Sequence, residues 1–568
     1  MSEPLIPLPS PTRNPVAPAR ARTLAGWLSA TVVFGWCTDI CGHELPGHHR
    51  PTYEVTAPFE MGADQNRLRL QVVDTATGRS TAARFSLEVD GRDFVPDGLG
   101  TGGLRFVSIH NGKKQRFAAC YSRGTGPVDM PLPPGARRVA VFAVKGLEYQ
   151  PEEISFDVTG RVSEATVNLR RWTDVRARGW IAVEEHAHYD RLDPAHDADW
   201  LTILAGDDIS HAHFMVLKGY NLPGVWAAQY AYGPRGEASN GERLIRPGEE
   251  YRDNLQGHIN LLGVREIIEP ILTGAAEHPH HWPPFLDVLS RAKELGGVVG
   301  PAHGAELGLS STGVADTILG RSDFFEIANT HLYKIEIWYR LLNCGFIVPP
   351  VAGTDLPNYP SRLPWQPLLG EIRTYVKTGG SVAFEAFKKA IVRGETFVSS
   401  GPMIALAVER AGPGGTVRLP AGGGEVVVEA ELSSPRDLQT FEIVRQGEAI
   451  AMEVVKSRDG PTHRWRIKGR LRFERSAWVA VRGTGELKQA LLKEANIRQH
   501  TLAHTAPIRV LVGDEPIASP SDASFLAARL TDKIALYRSA GKYRQPEDRD
   551  RALGIFEAAI QKLQPRAL

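Results

Sequence analysis

Five short stretches of this sequence put imidazoles or carboxylates where an apolar run ends. The first is Glu184-Glu185-His186-Ala187-His188, directly after Trp180-Ile181-Ala182-Val183. An apolar run of that length reads as a buried strand, and along a strand side chains at i and i+2 point the same way. His186 and His188 are therefore expected to present two imidazoles to one side, with Glu184 on the same face. Two imidazoles so placed are half of a metal site. The other four stretches are Asp207-Asp208 after Trp200-Leu201-Thr202-Ile203-Leu204-Ala205, Glu250 in a strand ahead of Gly257-His258-Ile259, His303 after Gly297-Val298-Val299-Gly300-Pro301-Ala302, and Asp355 after Val351-Ala352-Gly353-Thr354. Ordinary readings compete with these: Asp207-Asp208-Ile209-Ser210 also suits a helix N-cap, Glu250 a solvated loop, and His258 a core histidine bound to a backbone carbonyl.

Between these stretches lie segments of helical period, such as residues 285–295, whose following Gly296-Gly297 fits a helix stop. Strand, helix, strand is the rhythm of a parallel α/β barrel, and such barrels gather their chemistry at the C-terminal strand ends. Ahead of this region Arg67-Leu68-Arg69-Leu70-Gln71-Val72-Val73 alternates as a half-buried strand, and residues 139–144 and 165–169 supply later strands. Behind it, residues 426–428, 441–444, 465–467 and 478–481 repeat the strand pattern. Phe525, Leu526, Leu530, Ile534 and Tyr537 share one helical stripe; Ile555, Phe556, Ala559, Ile560 and Leu563 share another, and residues 541–546 form the bend between them. The expected layout is residues 1–50 as a leader and linker, 51–172 a β-sandwich, 173–405 the barrel, 406–500 a small β module, and 501–568 a helical hairpin packing on the body.

The order E-x-H-x-H, D-D, G-x-E followed by G-H, A-H-G and G-T-D resembles the polymerase and histidinol phosphatase (PHP) superfamily. Trp338-Tyr339-Arg340-Leu341-Leu342-Asn343-Cys344-Gly345-Phe346, Arg373-Thr374-Tyr375-Val376, Gly394-Glu395-Thr396-Phe397-Val398-Ser399-Ser400-Gly401-Pro402 and Leu502-Ala503-His504-Thr505-Ala506-Pro507-Ile508 are similar to its carbaryl-hydrolase branch, the CehA/McbA-type metallohydrolases. The resemblance runs from Gly179 to the C-terminus. It implies a distorted barrel of about seven βα units. It also implies two divalent ions, manganese or zinc, with His186, His188, Asp208, Glu250, His258, His303 and Asp355 as ligands. Asp355 is expected to orient the attacking water and pass its proton to the leaving group, and Arg373 either to stabilise oxyanion charge or to form a structural ion pair. His211 and His213 fall behind the ligands, and Asp193 and His196 stay outside the core set. Three positions depart from the superfamily: Glu184 and Asp208 replace an aspartate and a histidine, and Leu356-Pro357 follow Asp355 where a histidine is usual. A site richer in oxygen leans towards a harder metal such as manganese.

The chemistry expected is metal-assisted hydrolysis, in which two ions lower the pKa of a water from about 15.7 towards 7. Carbamate, amide or aryl ester bonds of a small molecule are the expected substrates. Arg252 and Arg373 are the only basic residues inside the motifs near strand ends, whereas Trp338, Tyr339 and Tyr375 offer aromatic surface. The alternatives are a metal-dependent phosphoesterase and a non-catalytic cell-surface module. Lys and Arg number 66 against 65 Asp and Glu, a net charge of +1, which gives no broad positive field for nucleic acid. Neither a P-loop nor a G-x-S-x-G elbow occurs. Arg13, Arg20 and Arg22 precede an apolar run at residues 24–37, too short for a stable membrane span and of a length that suits an export signal. Periplasmic or secreted placement follows if that run is a signal, cytoplasmic placement if it is a buried helix. Cys37, Cys41, Cys120 and Cys344 have no zinc-finger spacing.

Overall fold

The computed structural model describes residues 49–567 except 51, 61, 63–64, 111–114, 220–223, 306–310, 331, 358–367 and 486–500. The candidate export signal, Cys37 and Cys41 lie outside the described residues. The chain is a mixed α/β protein, with seven helices and several sheets among the described residues.

The region that holds the candidate ligands is built of β1 (Trp180–Ala187), α1 (Asp197–Gly206), β2 (His211–Lys218), β3 (Gly248–Asp253), β4 (Gly257–Leu262), α2 (Phe285–Glu294), β5 (Val298–Pro301), α3 (Gly313–Ile318), β6 (Phe325–Ala328), α4 (Glu336–Asn343), β7 (Pro350–Ala352), β8 (Arg373–Lys377), α5 (Phe384–Arg393) and β9 (Thr396–Ser399). The parallel rhythm read from the sequence holds for β1 with β2 across α1, and for β6 with β7 across α4. Strand β2 is also parallel to β3. Elsewhere the pairing is antiparallel: β3 with β4, β4 with β5, β1 with β8, and β8 with β9. For β3 and β4 the reason lies in their connection. A parallel crossover needs a dozen or more residues, and only residues 254–256 separate β3 from β4. Gly257 completes that turn at φ 96°, a conformation closed to side-chain-bearing residues at low cost.

Apolar residues from six of these strands, Ile181, Val183, Met215, Leu262, Val298, Val351 and Val376 among them, meet in one core that Phe384, Phe387, Ala390 and Ile391 of α5 complete. Those four lie on one face of α5, and each Phe or Ile so buried contributes about 1.5–3 kcal/mol. The helix ends at Gly394, whose φ of 75° provides the left-handed stop.

In the N-terminal region Leu68, Leu70 and Val72, the alternating residues of strand Arg67–Asp74, share a core with Val167 and Leu169 of the strand paired beside it and with Phe85, Leu87, Val139 and Val141 of a second sheet. Behind β9, strand Leu502–Thr505 pairs with it and leads through Ala477–Thr484 to Thr440–Arg445. These strands are continuous with the sheet that carries the candidate ligands. Helices α6 (Pro520–Ala540) and α7 (Pro546–Ala567) bury Leu526, Leu530, Ile534 and Tyr537 against Phe556, Ala559 and Leu563, in a core that also holds Trp338 and Leu341 of α4. Phe525 departs from the stripe, remaining 37% exposed beneath the Arg340 guanidinium, 4.0 Å from its ring centre. No helix among the described residues is long and apolar enough to cross a membrane.

Candidate metal centre

The centre begins with an irregularity in β1. Val183 and Glu184 pair with His211 and Ala212, but Ala187 pairs with Phe214, so β1 holds one residue more than β2 over that interval. The extra residue breaks the alternation that placed Glu184 beside the imidazoles. Glu184 instead accepts hydrogen bonds from the backbone of His186 (3.0 Å), Thr354 (2.9 Å) and Gly370 (2.9 Å) and from the Thr354 hydroxyl (2.7 Å). Burial pushes its carboxyl up to about 7 against the Thr354 and His186 donors. It ties β1 to the loop after β7, where a Cβ on Gly353 would come within 2.5 Å of the His186 Cβ.

His186 and His188 do converge. His188 Nδ1 donates to the Met215 carbonyl at 2.8 Å, and His186 Nδ1 lies 3.1 Å from Glu326 Oε2. Each of these contacts places the ring proton on Nδ1 and leaves a lone pair on Nε2. The two Nε2 atoms face each other at 3.1 Å. Asp355 Oδ1 stands 3.6 Å and 3.2 Å from them, and Glu250 offers Oε1 at 3.9 Å to His186 and Oε2 at 3.4 Å to His188. Opposite, His303 Nε2 lies 3.3 Å from Asp355 Oδ2 and 3.7 Å from Glu250 Oε1, and His258 Nδ1 lies 2.8 Å from Glu250 Oε1. Three overlapping triads result, His186–His188–Glu250, His186–His303–Glu326 and Glu250–His258–His303, each of buried residues with its candidate ligand atoms within 4.8 Å of one another.

These groups fit a divalent cation. Both Glu250 carboxylate oxygens and both His303 ring nitrogens are buried and lack a hydrogen bond of proper geometry, although charged neighbours stand within 4 Å. Opposed lone pairs of this kind are costly unless a cation or proton lies between them. Burial would raise Glu250, but Arg252 and His258 outweigh it and hold the carboxyl well below its usual range. Asp355 likewise overcomes burial through His186, His188 and His303. Burial and Arg252 push the His258 imidazole down to about 3, whereas Glu326, Asp355 and Glu250 overcome burial to hold His186 above its ordinary value, so the carboxylates here favour positive charge in their midst. Both His303 (φ 53°) and Asp355 (φ 56°) adopt left-handed backbone conformations, which cost about 1–2 kcal/mol in a non-glycine residue. Hydrogen bonds hold them there: His303 N donates to Glu326 Oε2 at 3.0 Å and Asp355 N to the His186 carbonyl at 2.6 Å.

Six of the seven expected ligands, His186, His188, Glu250, His258, His303 and Asp355, thus come together. Asp208 does not. It sits past the C-terminal end of α1, not at a helix N-cap, and its φ of 51° turns the carboxylate towards Arg171 Nη2 (3.2 Å) and Arg243 Nη2 (3.8 Å). There it joins the N-terminal region, which supplies Arg171, to the body. Arg373 is not an oxyanion donor either: Nη1 and Nη2 donate to the carbonyls of Asp208 and Asp207 (3.0 Å each) and Nε to that of Gly370. Its guanidinium is spent on fastening backbone. His211 and His213 donate through Nδ1 to the carbonyls of Val382 and Arg246 (2.9 Å each) and pack on Phe387.

Two contributors escaped the sequence reading. Glu326 accepts from His303 N and stands against His186, and Asn260 Nδ2 donates to the same Glu326 oxygen at 3.3 Å. The signal for Glu326 was present: it is a lone carboxylate within Phe324-Phe325-Glu326-Ile327-Ala328, and an acid buried in an apolar strand needs a partner. Asn260 lies two residues beyond His258 and so on the same face of β4. Comparisons with protein-family models, with curated proteins and with solved structures give no match to this chain.

Proposed function

We propose that the protein is a divalent-metal-dependent hydrolase of the PHP type, close to the CehA/McbA branch, acting on carbamate, amide or aryl ester bonds of small molecules. On this reading the ligand-bearing sheet is a distorted (βα)7 barrel, the N-terminal sheets form a sandwich, and the protein works in the periplasm or outside the cell. The observation that carries the proposal is the approach of His186 Nε2 to His188 Nε2 at 3.1 Å, with both Nδ1 atoms already engaged and Glu250, Asp355 and His303 closing around them.

His186, His188, Glu250 and Asp355, with His258 and His303, would hold two divalent ions. Such ions supply a strong nucleophile from water at neutral pH and polarise the scissile carbonyl. The chain's own residues do the rest. Asp355 Oδ2, ionised and 3.3 Å from His303 Nε2, orients the attacking water and accepts its proton for delivery to the leaving group. Glu326 and the Met215 carbonyl fix the orientation of the two β1 imidazoles. A phosphate monoester needs several cationic donors around its spare oxygens. With Arg373 committed to backbone carbonyls and Arg252 set 3.0 Å from Glu250, the centre favours a carbonyl substrate.

Metal analysis and a matched substrate panel test this. Protein purified in manganese or zinc should carry about two ions per chain, and an aryl ester or N-methylcarbamate should be hydrolysed faster than the matched aryl phosphate. Less than about one ion per chain would reject the two-ion centre. A phosphatase kcat/KM about tenfold above that for the ester, a 1.4 kcal/mol preference, would move the reading to a phosphoesterase.

A further inference from the structure

Strand β1 carries the metal ligands at one end, and a second cleft lies at the other. Trp180, the first residue of β1, is the cross-strand partner of Lys377, the last of β8. Six residue steps of strand lead from Trp180 to His186, about 20 Å at the usual rise. Around that end opens a cavity of about 380 Å³ lined by Trp180, Lys377, Val392, Arg393, Glu395, residues 412–415 and Arg509. None of these belongs to the metal centre.

Three cations face a single carboxylate in this cleft, and that carboxylate is taken: Arg393 Nη2 donates to Glu395 Oε2 at 2.6 Å. Arg509 Nε is buried and makes no hydrogen bond, although a buried guanidinium donor normally has an acceptor. The Lys377 ammonium stands 5.9 Å from the centre of the Trp180 ring. Beside these cations the wall is apolar: the half-buried Trp180 indole, seated edge-on against Phe397, and Val392, which is 59% exposed. The third wall is the glycine-rich segment 412–415, in which Pro413 alone bears a side chain. A Cβ on Gly414 would lie 2.1 Å from the Arg393 carbonyl oxygen, and one on Gly394 would lie 3.1 Å from Gly414 Cα. Two loops therefore meet backbone to backbone, so the cleft is shaped before any ligand arrives, which lowers the cost of binding.

We propose that this cleft is a second ligand site that takes a small organic anion, a carboxylate or phosphate joined to an apolar or aromatic group. Arg509 and Lys377 engage the anion through charge-assisted hydrogen bonds, while the apolar part lies on Trp180 and Val392. The site is independent of the hydrolase reading, because nothing in it touches a metal ligand.

Calorimetric titration of the full-length, chelator-treated protein with benzoate, phenyl phosphate and inorganic phosphate tests the assignment and tells the two anion types apart. Either aromatic anion should bind saturably with a dissociation constant of about 1 mM or below, and about tenfold tighter than inorganic phosphate. Lys377→Gln, at an exposed position that leaves folding intact, should weaken that binding about tenfold. Arg509→Gln should do the same, and Trp180→Phe should leave binding largely in place. Absence of saturable binding in the wild type, equal affinity for inorganic phosphate, or a change of less than about twofold in Lys377→Gln would overturn the proposal. Because the metals are removed, loss of the hydrolase reading would leave this result untouched.

Discussion

Glu326 orients rather than announces itself: one of its oxygens meets His186 Nδ1, His303 N and Asn260 Nδ2 together. A partner of this kind fixes the tautomer and aim of a ligating imidazole. Glu326→Gln keeps the shape and an acceptor oxygen but loses the charge, so metal affinity and kcat/KM should fall about 10–100-fold with the fold retained. Metal titration alongside kinetics checks this, and wild-type values in both would remove Glu326 from the centre. Arg373 gives the opposite pattern. Arg373→Lys forfeits most of three charge-assisted bonds to carbonyls in a buried place and should cost about 3–5 kcal/mol in denaturant titrations. The folded fraction should still turn over substrate within about threefold of wild type, since nothing on Arg373 faces the ligands. The candidate ligands at the ends of β1, β5 and β7 were legible because each closes an apolar run. Asp208 was misread because the sequence does not say which way a residue turns after an element ends. His303, Asp355 and Asp208 all take positive φ, yet two face the centre and one faces Arg171.

At the scale of elements, the helical hairpin was the most legible part, since its stripes needed only a period of 3.6. What the period cannot decide is the edge of a stripe. Phe525 belongs to the pattern but stays partly exposed under Arg340, whereas Phe556 is buried and meets Tyr537 edge-on at 4.8 Å. Phe556→Ala should therefore cost about 3–5 kcal/mol. Phe525→Ala should cost no more than about 1 kcal/mol, because an exposed ring loses little on truncation. Urea midpoints for the two variants check this, and equal losses would mean that the stripe packs differently. The extra residue in β1 was not legible for a related reason. Alternation predicts a regular strand, and a bulge is set by how two strands fit each other. It sends Glu184 to Thr354 and Gly370 while leaving the two imidazoles together.

At the scale of the molecule, composition bounded the partners but not the arrangement. Of the strands read as a C-terminal module, those holding residues 441–444 and 478–481 join the sheet of β9 through Leu502–Thr505, whereas those holding 426–428 and 465–467 lie in a separate four-stranded sheet, and buried histidines lie on both sides of the join to β9. His504 is one: its Nδ1 donates to the Thr505 carbonyl at 2.7 Å, and its Nε2 meets the Tyr339 hydroxyl of α4 at 2.6 Å. Burial, aided by Arg482, pushes this imidazole down to about 3 from its ordinary 6.5. Between those values the unfolded chain binds the proton and the folded chain does not. The stability that neutral His504 contributes is then complete above pH 6.5 and is lost as the pH falls towards 3. Each unit of that interval is worth about 1.4 kcal/mol, so by pH 4.5 the loss from this residue is on the order of 2–3 kcal/mol. Glu148 and Asp207, both raised to about 7 by burial, push the other way, since protonation favours their folded forms below that value. They do so equally in wild type and in His504→Gln, and drop out of the comparison. His504→Gln should therefore be the less stable protein at pH 7.5, and the gap should close by about 2–3 kcal/mol on acidification to pH 4.5. Urea titrations of both chelator-treated proteins across that range decide it: a gap that stays constant would mean that His504 takes up its proton within the fold, with Tyr339 swung away to admit it.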